Sequence, residues 1–168
     1  INGLLGASLP RDHAYGFIKL GRLVECADMT TRIMDVGAGD IMERAGRFGA
    51  IDPLLWGALL QALSAAAAYR REVGPIIEKD AALNFIFLSS TFPRSIKYFV
   101  RETRKELMRL NNHDLAIRAV ERLRRRLTRL DAEHFTSGEL HDYIDDFQLQ
   151  LTSLDAAIQA TWFSWENA

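Results

Sequence analysis

The residue types best suited to chemistry gather in one stretch, Phe17 to Val36, where Arg22, Glu25, Asp28 and Arg32 recur every three or four positions. A helix turns by about 100° per residue, so Ile18, Arg22, Glu25, Met29, Arg32 and Val36 fall on one stripe, with Asp35 beside Arg32. Guanidinium groups grip carboxylates and phosphates through paired N–H donors, and such a row could clamp an anionic substrate. The same spacing also allows a structural network of Arg22 with Glu25 and Asp28 with Arg32. Sharing a stripe with Ile18, Met29 and Val36, these charges are expected to be mostly buried, with Glu25 accepting from an arginine, since an ion stripped of water needs a partner. They are expected to turn toward the helix that begins near Arg94. Arg94 and Ser95 follow Pro93, where the free backbone N–H groups of a first helical turn favour an anion. Here too a structural reading stands beside the functional one: Pro93 starts a helix, and Arg94 pairs with a neighbouring carboxylate.

The other chemistry-bearing residues point to less. Arg118, Arg122, Arg124, Arg125, Arg126 and Arg129 suggest nucleic acid when taken alone. The segment from 131 to 168 contains no Lys or Arg but is rich in Asp and Glu. A basic helix followed by an acidic one is expected to pack as an antiparallel pair, with Arg122, Arg125, Arg126 or Arg129 near Asp142, Asp145 or Asp146, so no nucleic-acid partner is expected. His13, His113, His134 and His141 form no metal-binding pattern, and neither a metal nor another cofactor is expected. Cys26 is the single cysteine, beside a glutamate that opposes thiolate formation, and reads as a packing residue. With no intramolecular disulfide possible, a reducing, cytoplasmic setting is expected. Gly37, Gly39, Gly46 and Gly49 lack the order of a phosphate loop.

Helices must position these groups. Apolar residues recur at three- and four-residue spacing in every long segment, which predicts an all-α bundle of about five or six helices with antiparallel neighbours. The first helix is expected to run to about Val36 and stop at Gly37 and Gly39, before a mobile loop to Ile51 with room for a short helical piece around Ile41 to Arg47. Asp52 and Pro53 open the second, expected to continue to Gly74-Pro75. A shorter helix passes through Leu83 and Phe87. The fourth carries Ile96, Phe99, Val100, Leu107 and Leu110, and the fifth Ile117, Val120, Leu123, Leu127 and Leu130. Thr136 and Glu139 form a capping box for a last helix with Leu140, Ile144, Phe147, Leu151, Leu154, Ile158 and Trp165 on one face. A chain of 168 residues suffices for one helical domain with a real core, its net charge of -1 provides no global pull toward polyanions, and no run is apolar enough to span a bilayer.

The string Gly21-Arg22-Leu23-Val24-Glu25-Cys26-Ala27 with the downstream Thr30-Thr31-Arg32 resembles the signature of the Alpha-E family, in which a Gly-Arg pair precedes Glu-Arg-Ala and Thr-x-Arg. Trp56 through Leu63 with Ala67, Tyr69 and Arg70, the Phe92-Pro93-Arg94-Ser95 helix start, and Leu140-His141 with Trp162-Phe163 resemble further family segments in order. One departure stands out: Cys26 occupies the place of the arginine in the family's Glu-Arg pair. The resemblance implies a helical fold and a longer protein of two related halves, of which this chain would be the C-terminal one and an N-terminal half the nearest partner. It further implies association with circularly permuted ATP-grasp proteins, which join carboxylates to amines. The chain is thus expected to be an accessory or substrate-binding module of an amide- or peptide-ligating system. The alternative is an enzyme, or half of one, whose Arg/Glu cluster acts on an anionic peptide-like substrate.

Overall fold

The computed structural model describes residues 8–44, 52–131 and 135–164. Among the described residues seven helices are defined: α1 (His13–Glu43), α2 (Asp52–Ala62), α3 (Ala66–Glu72), α4 (Lys79–Leu88), α5 (Ile96–Leu107), α6 (Asp114–Leu127) and α7 (Ser137–Trp162). No strand occurs among the described residues. α1, α5, α6 and α7 form a closed ring of neighbours, α1 against α5, α5 against α6, α6 against α7 and α7 against α1. The shorter α2, α3 and α4 attach to the α1 and α5 side. Arg126, near the end of α6, meets Tyr143 and Asp146 near the start of α7. Trp162, at the end of α7, donates to the Asn111 carbonyl just ahead of α6.

The apolar spacing accounts for the core. Ile96, Phe99, Val100, Leu107 and Leu110 are buried, as are Val120, Leu123 and Leu127. So are Leu140, Ile144, Phe147, Leu151, Leu154 and Ile158; Trp165 lies outside the described residues. Each such large side chain contributes about 1.5–3 kcal/mol on leaving water. The capping box forms as expected: Thr136 accepts from the Glu139 N–H, and the Glu139 carboxylate accepts from the Thr136 N–H at 2.9 Å.

Two boundaries differ from expectation. The expected second helix is split into α2 and α3, raising the count among the described residues to seven. Ser64 adopts φ 55°, the Ala65 N–H reaches the Leu60 carbonyl at 2.7 Å and the Ser64 N–H reaches Gln61 at 2.8 Å. That is the hydrogen-bond pattern of a glycine-type helix stop, with serine in the left-handed position. α1 does not stop at Gly37 but continues to Glu43. Gly37 serves packing instead: a Cβ there would lie 2.6 Å from Leu59 Cδ1, so its absence lets α2 approach α1. Residues 37–43 of the expected loop are therefore helical, and residues 45–51 of it lie outside the described ones.

Candidate functional site

α1 starts on Asp12, whose side chain accepts from the Tyr15 N–H at 3.0 Å, and its inward face comprises Leu20, Leu23, Ala27, Thr30, Thr31, Met34, Ala38 and Ile41. This stripe also repeats every three or four residues, and its alanines and threonines admit neighbouring helices closely. The expected core stripe is therefore turned outward. Ile18, Met29 and Val36 are 39%, 49% and 75% exposed, and Arg22, Glu25 and Arg32 are exposed with them. Burial of this cluster is thus corrected: large side chains marked one face of α1, but smaller ones pack the other.

The local network is also sparser than expected. Arg32 Nε donates to Asp28 Oδ2 at 2.8 Å, and that hydrogen bond raises the guanidinium's pKa above its ordinary value. Arg22 and Glu25 form no ion pair with any described residue. Ser95 does not present a free hydroxyl to an anion. It is fully buried, caps α5 by accepting from the Tyr98 N–H at 3.1 Å, and donates to the Ser89 carbonyl. Arg94 lies just ahead of that cap and is exposed; its main-chain carbonyl accepts from Thr30 Oγ1 at 3.2 Å. Of the six candidates, then, Arg22, Glu25, Asp28 and Arg32 share the α1 surface, whereas Arg94 meets α1 through its backbone and Ser95 is committed to the fold.

The buried charges lie elsewhere, and the sequence reading missed them. Lys19 Nζ sits 2.6 Å from Glu106 Oε1 and 3.5 Å from Glu102 Oε2, joining α1 to α5. Glu102 and Glu106 are 8% and 3% exposed, and Arg101 and Arg109 flank them at 2.9 and 3.6 Å. Burial alone lowers the pKa of Lys19, but the hydrogen bonds and charges of Glu106 and Glu102 together outweigh it and raise the value. Burial likewise raises Glu102, yet the Arg101 hydrogen bond and the Lys19 and Lys105 charges bring it below the ordinary carboxylate value. The signal was present in sequence: positions 99, 102, 103, 106, 107 and 110 continue one three–four stripe, with two carboxylates inside it.

A second link crosses from α1 to α7. His141 Nδ1 lies 2.7 Å from Asp35 Oδ1, and its Nε2 lies 3.6 Å from Asp145. The Asp35 hydrogen bond and charge raise the imidazole's pKa. Arg124 of α6 and Arg104 of α5 converge on Glu121 at 2.5 and 2.7 Å, and Arg126 reaches Asp146 at 3.0 Å. Neutralisation by the acidic last helix is therefore partial, because Arg118, Arg122, Arg125 and Arg129 form no ion pair among the described residues. Those residues also contain no His, Cys, Asp and Glu group able to hold a metal, and no helix long and apolar enough to cross a membrane.

A ring of four helices with a charged, partly apolar outer face on its first member defines a helical-bundle class of protein. The family model described as "a predicted alpha-helical domain with a conserved ER motif" matches residues 1–163. The chain belongs to this family, Alpha-E. No curated protein and no solved structure matches it.

Proposed function

We propose that the chain is an accessory module that docks onto an ATP-grasp-type protein of an amide- or peptide-ligating system through the outer face of α1. The supporting observation is the alignment of Ile18, Met29 and Val36, all exposed, with Arg22, Glu25 and Arg32 on one helix face. Single exposed apolar residues are ordinary, but a row of them interleaved with charges over about 27 Å of helix suits protein recognition. Catalysis on an anionic substrate calls for a site that excludes water, whereas these side chains stand on the outside of the bundle. The resemblance supplies the partner class. A single cysteine, Cys26, and an ATP-consuming partner both suit the reducing cytoplasm.

Calorimetric titration of the chain into an ATP-grasp protein from the same organism tests this. Binding that weakens at least tenfold in an Arg22→Glu/Arg32→Glu variant, and remains unchanged in Val73→Ser away from the stripe, supports it. Equal binding by all three proteins, or no binding, sinks the proposal. Capture of the stripe by a second Alpha-E half instead would make the face an internal seam of a longer protein.

A further inference from the structure

We propose that the concavity between α6 and α7 ringed by Arg122, Arg125, Arg126 and Arg129 binds a small phosphate-bearing anion. Arg122, Arg125 and Arg126 lie three and four residues apart on one face of α6, Arg129 follows in the turn after it, and Tyr143 and Gln150 of α7 complete a cavity of about 430 Å³. That volume lies in the range of small-molecule sites. Arg126 has one carboxylate partner, Asp146 at 3.0 Å, while Arg122, Arg125 and Arg129 have none among the described residues. Like charges so spaced on a helix repel one another, and a multiply charged oxyanion relieves that repulsion while satisfying several guanidinium forks at once.

The cavity wall provides an independent observation. Tyr143 is 8% exposed, with the Arg126 guanidinium 4.5 Å above its ring. Its hydroxyl is buried with no hydrogen-bond partner among the described residues, and the same holds for Arg126 Nε and Gln150 Oε1. Native folds rarely leave buried polar atoms unpaired, yet two donors that an oxyanion can satisfy, the Tyr143 hydroxyl and Arg126 Nε, stand unpaired in the wall of this one cavity. Burial pushes the Tyr143 phenol up to about 12, against the lowering effect of Arg126, so the hydroxyl retains its proton and remains a donor. A phosphate is favoured over a single carboxylate because it brings more than one negative charge to four guanidiniums. A compact ligand is favoured over a nucleic-acid strand because Asp142 and Asp146 stand exposed on the α7 side, where a continuing phosphate backbone would be repelled. None of this depends on the docking role of α1.

The test is calorimetric titration of the chain with inorganic pyrophosphate and with inorganic phosphate, beside Arg125→Gln/Arg129→Gln, Arg122→Gln, Tyr143→Phe and Arg118→Gln variants. One site is expected to bind pyrophosphate more tightly than phosphate. Affinity should fall at least tenfold in the double variant and less in Arg122→Gln and Tyr143→Phe, while Arg118→Gln, outside the cavity, should bind as the unchanged protein does. The ¹⁵N signal of Arg126 Nε should move on binding. Arg125 and Arg129 are exposed and lack ion-pair partners, so the double variant should retain its circular dichroism and melting point. Equal binding by the unchanged protein and the double variant would mean an adventitious ion only, and absent binding would likewise overturn the proposal. An oligonucleotide that binds more tightly than pyrophosphate, with affinity rising with its length, would replace it with a nucleic-acid groove.

Discussion

Lys19 and Arg22 sit three residues apart on α1, yet one is held between two buried carboxylates and the other stands in solvent. Partner geometry accounts for the difference. Glu102 and Glu106 are four apart on α5 and face α1, so Lys19 gains two counter-charges from another element. Arg22 has no partner among the described residues, and the ion pair of its row, Asp28 with Arg32, lies within α1 itself. Cationic side chains on a single helix can thus hold the bundle together or lie open for recognition, depending on what the facing helix presents.

The sharpest way to break that contrast is Lys19→Met. It leaves two buried carboxylates facing each other, relieved from the flank by Arg101, Lys105 and Arg109, and should cost about 3 kcal/mol in a denaturant melt. Its pH dependence provides a second readout. In the unchanged protein the lowered pKa of Glu102 contributes stability that is complete above its ordinary value of 4.5 and is lost as pH falls through the folded value. Without Lys19 that loss should begin at higher pH. An unchanged midpoint and an unchanged acid limb would mean that the inner row is not structural.

Gly37→Leu probes the packing that keeps the inner face of α1 closed. Its Cβ would meet the Leu59 side chain at 2.6 Å, so a loss of about 1–3 kcal/mol is expected from overpacking, despite better helix propensity. A gain in melting temperature would count against the close α1–α2 approach.

His141→Gln should have a smaller effect, visible as a change in pH dependence. The raised pKa of His141 contributes stability that is fully present below its ordinary value of 6.5 and is lost as pH rises through the folded value. Melting temperatures of the two proteins should therefore differ most in mild acid and converge above that range. A constant offset across pH would rule out the Asp35 link as its origin. The smallest expected change is Glu25→Ala, within about 0.5 kcal/mol by thermal melt, as befits an exposed residue away from any special contact. A loss of several kcal/mol would restore the buried network expected from sequence.

Helix identity was largely legible because α5, α6 and α7 bury large residues at regular spacing, and Thr136 and Glu139 announce the last start. The orientation of α1 was not legible. Ile18, Met29 and Val36 compete with Leu20, Leu23 and Met34 for the inward position, and the tie is broken by Ala27, Thr30, Thr31 and Ala38, whose small size lets neighbouring helices approach. The α2–α3 break was hidden because serine, not glycine, takes the left-handed position at Ser64. Of the site candidates, Ser95 was recognisable as lying at a helix start, but its burial and its bond to the Ser89 carbonyl follow only from the fold. The unpaired arginines of α6 were hidden by the acidic composition of the last segment, whose carboxylates are spread around α7 rather than directed at α6 alone.

The seam between α1 and α7 has a consequence for how the chain is made. Thr31 accepts from Gln148, and Asp35 meets His141 across a sequence separation of 106. At about 5–20 residues per second, a ribosome needs on the order of 5–20 s to bridge that separation. During that interval the inner face of α1 lacks its α7 neighbour, so the newborn first helix is a natural client for a chaperone until the last one emerges.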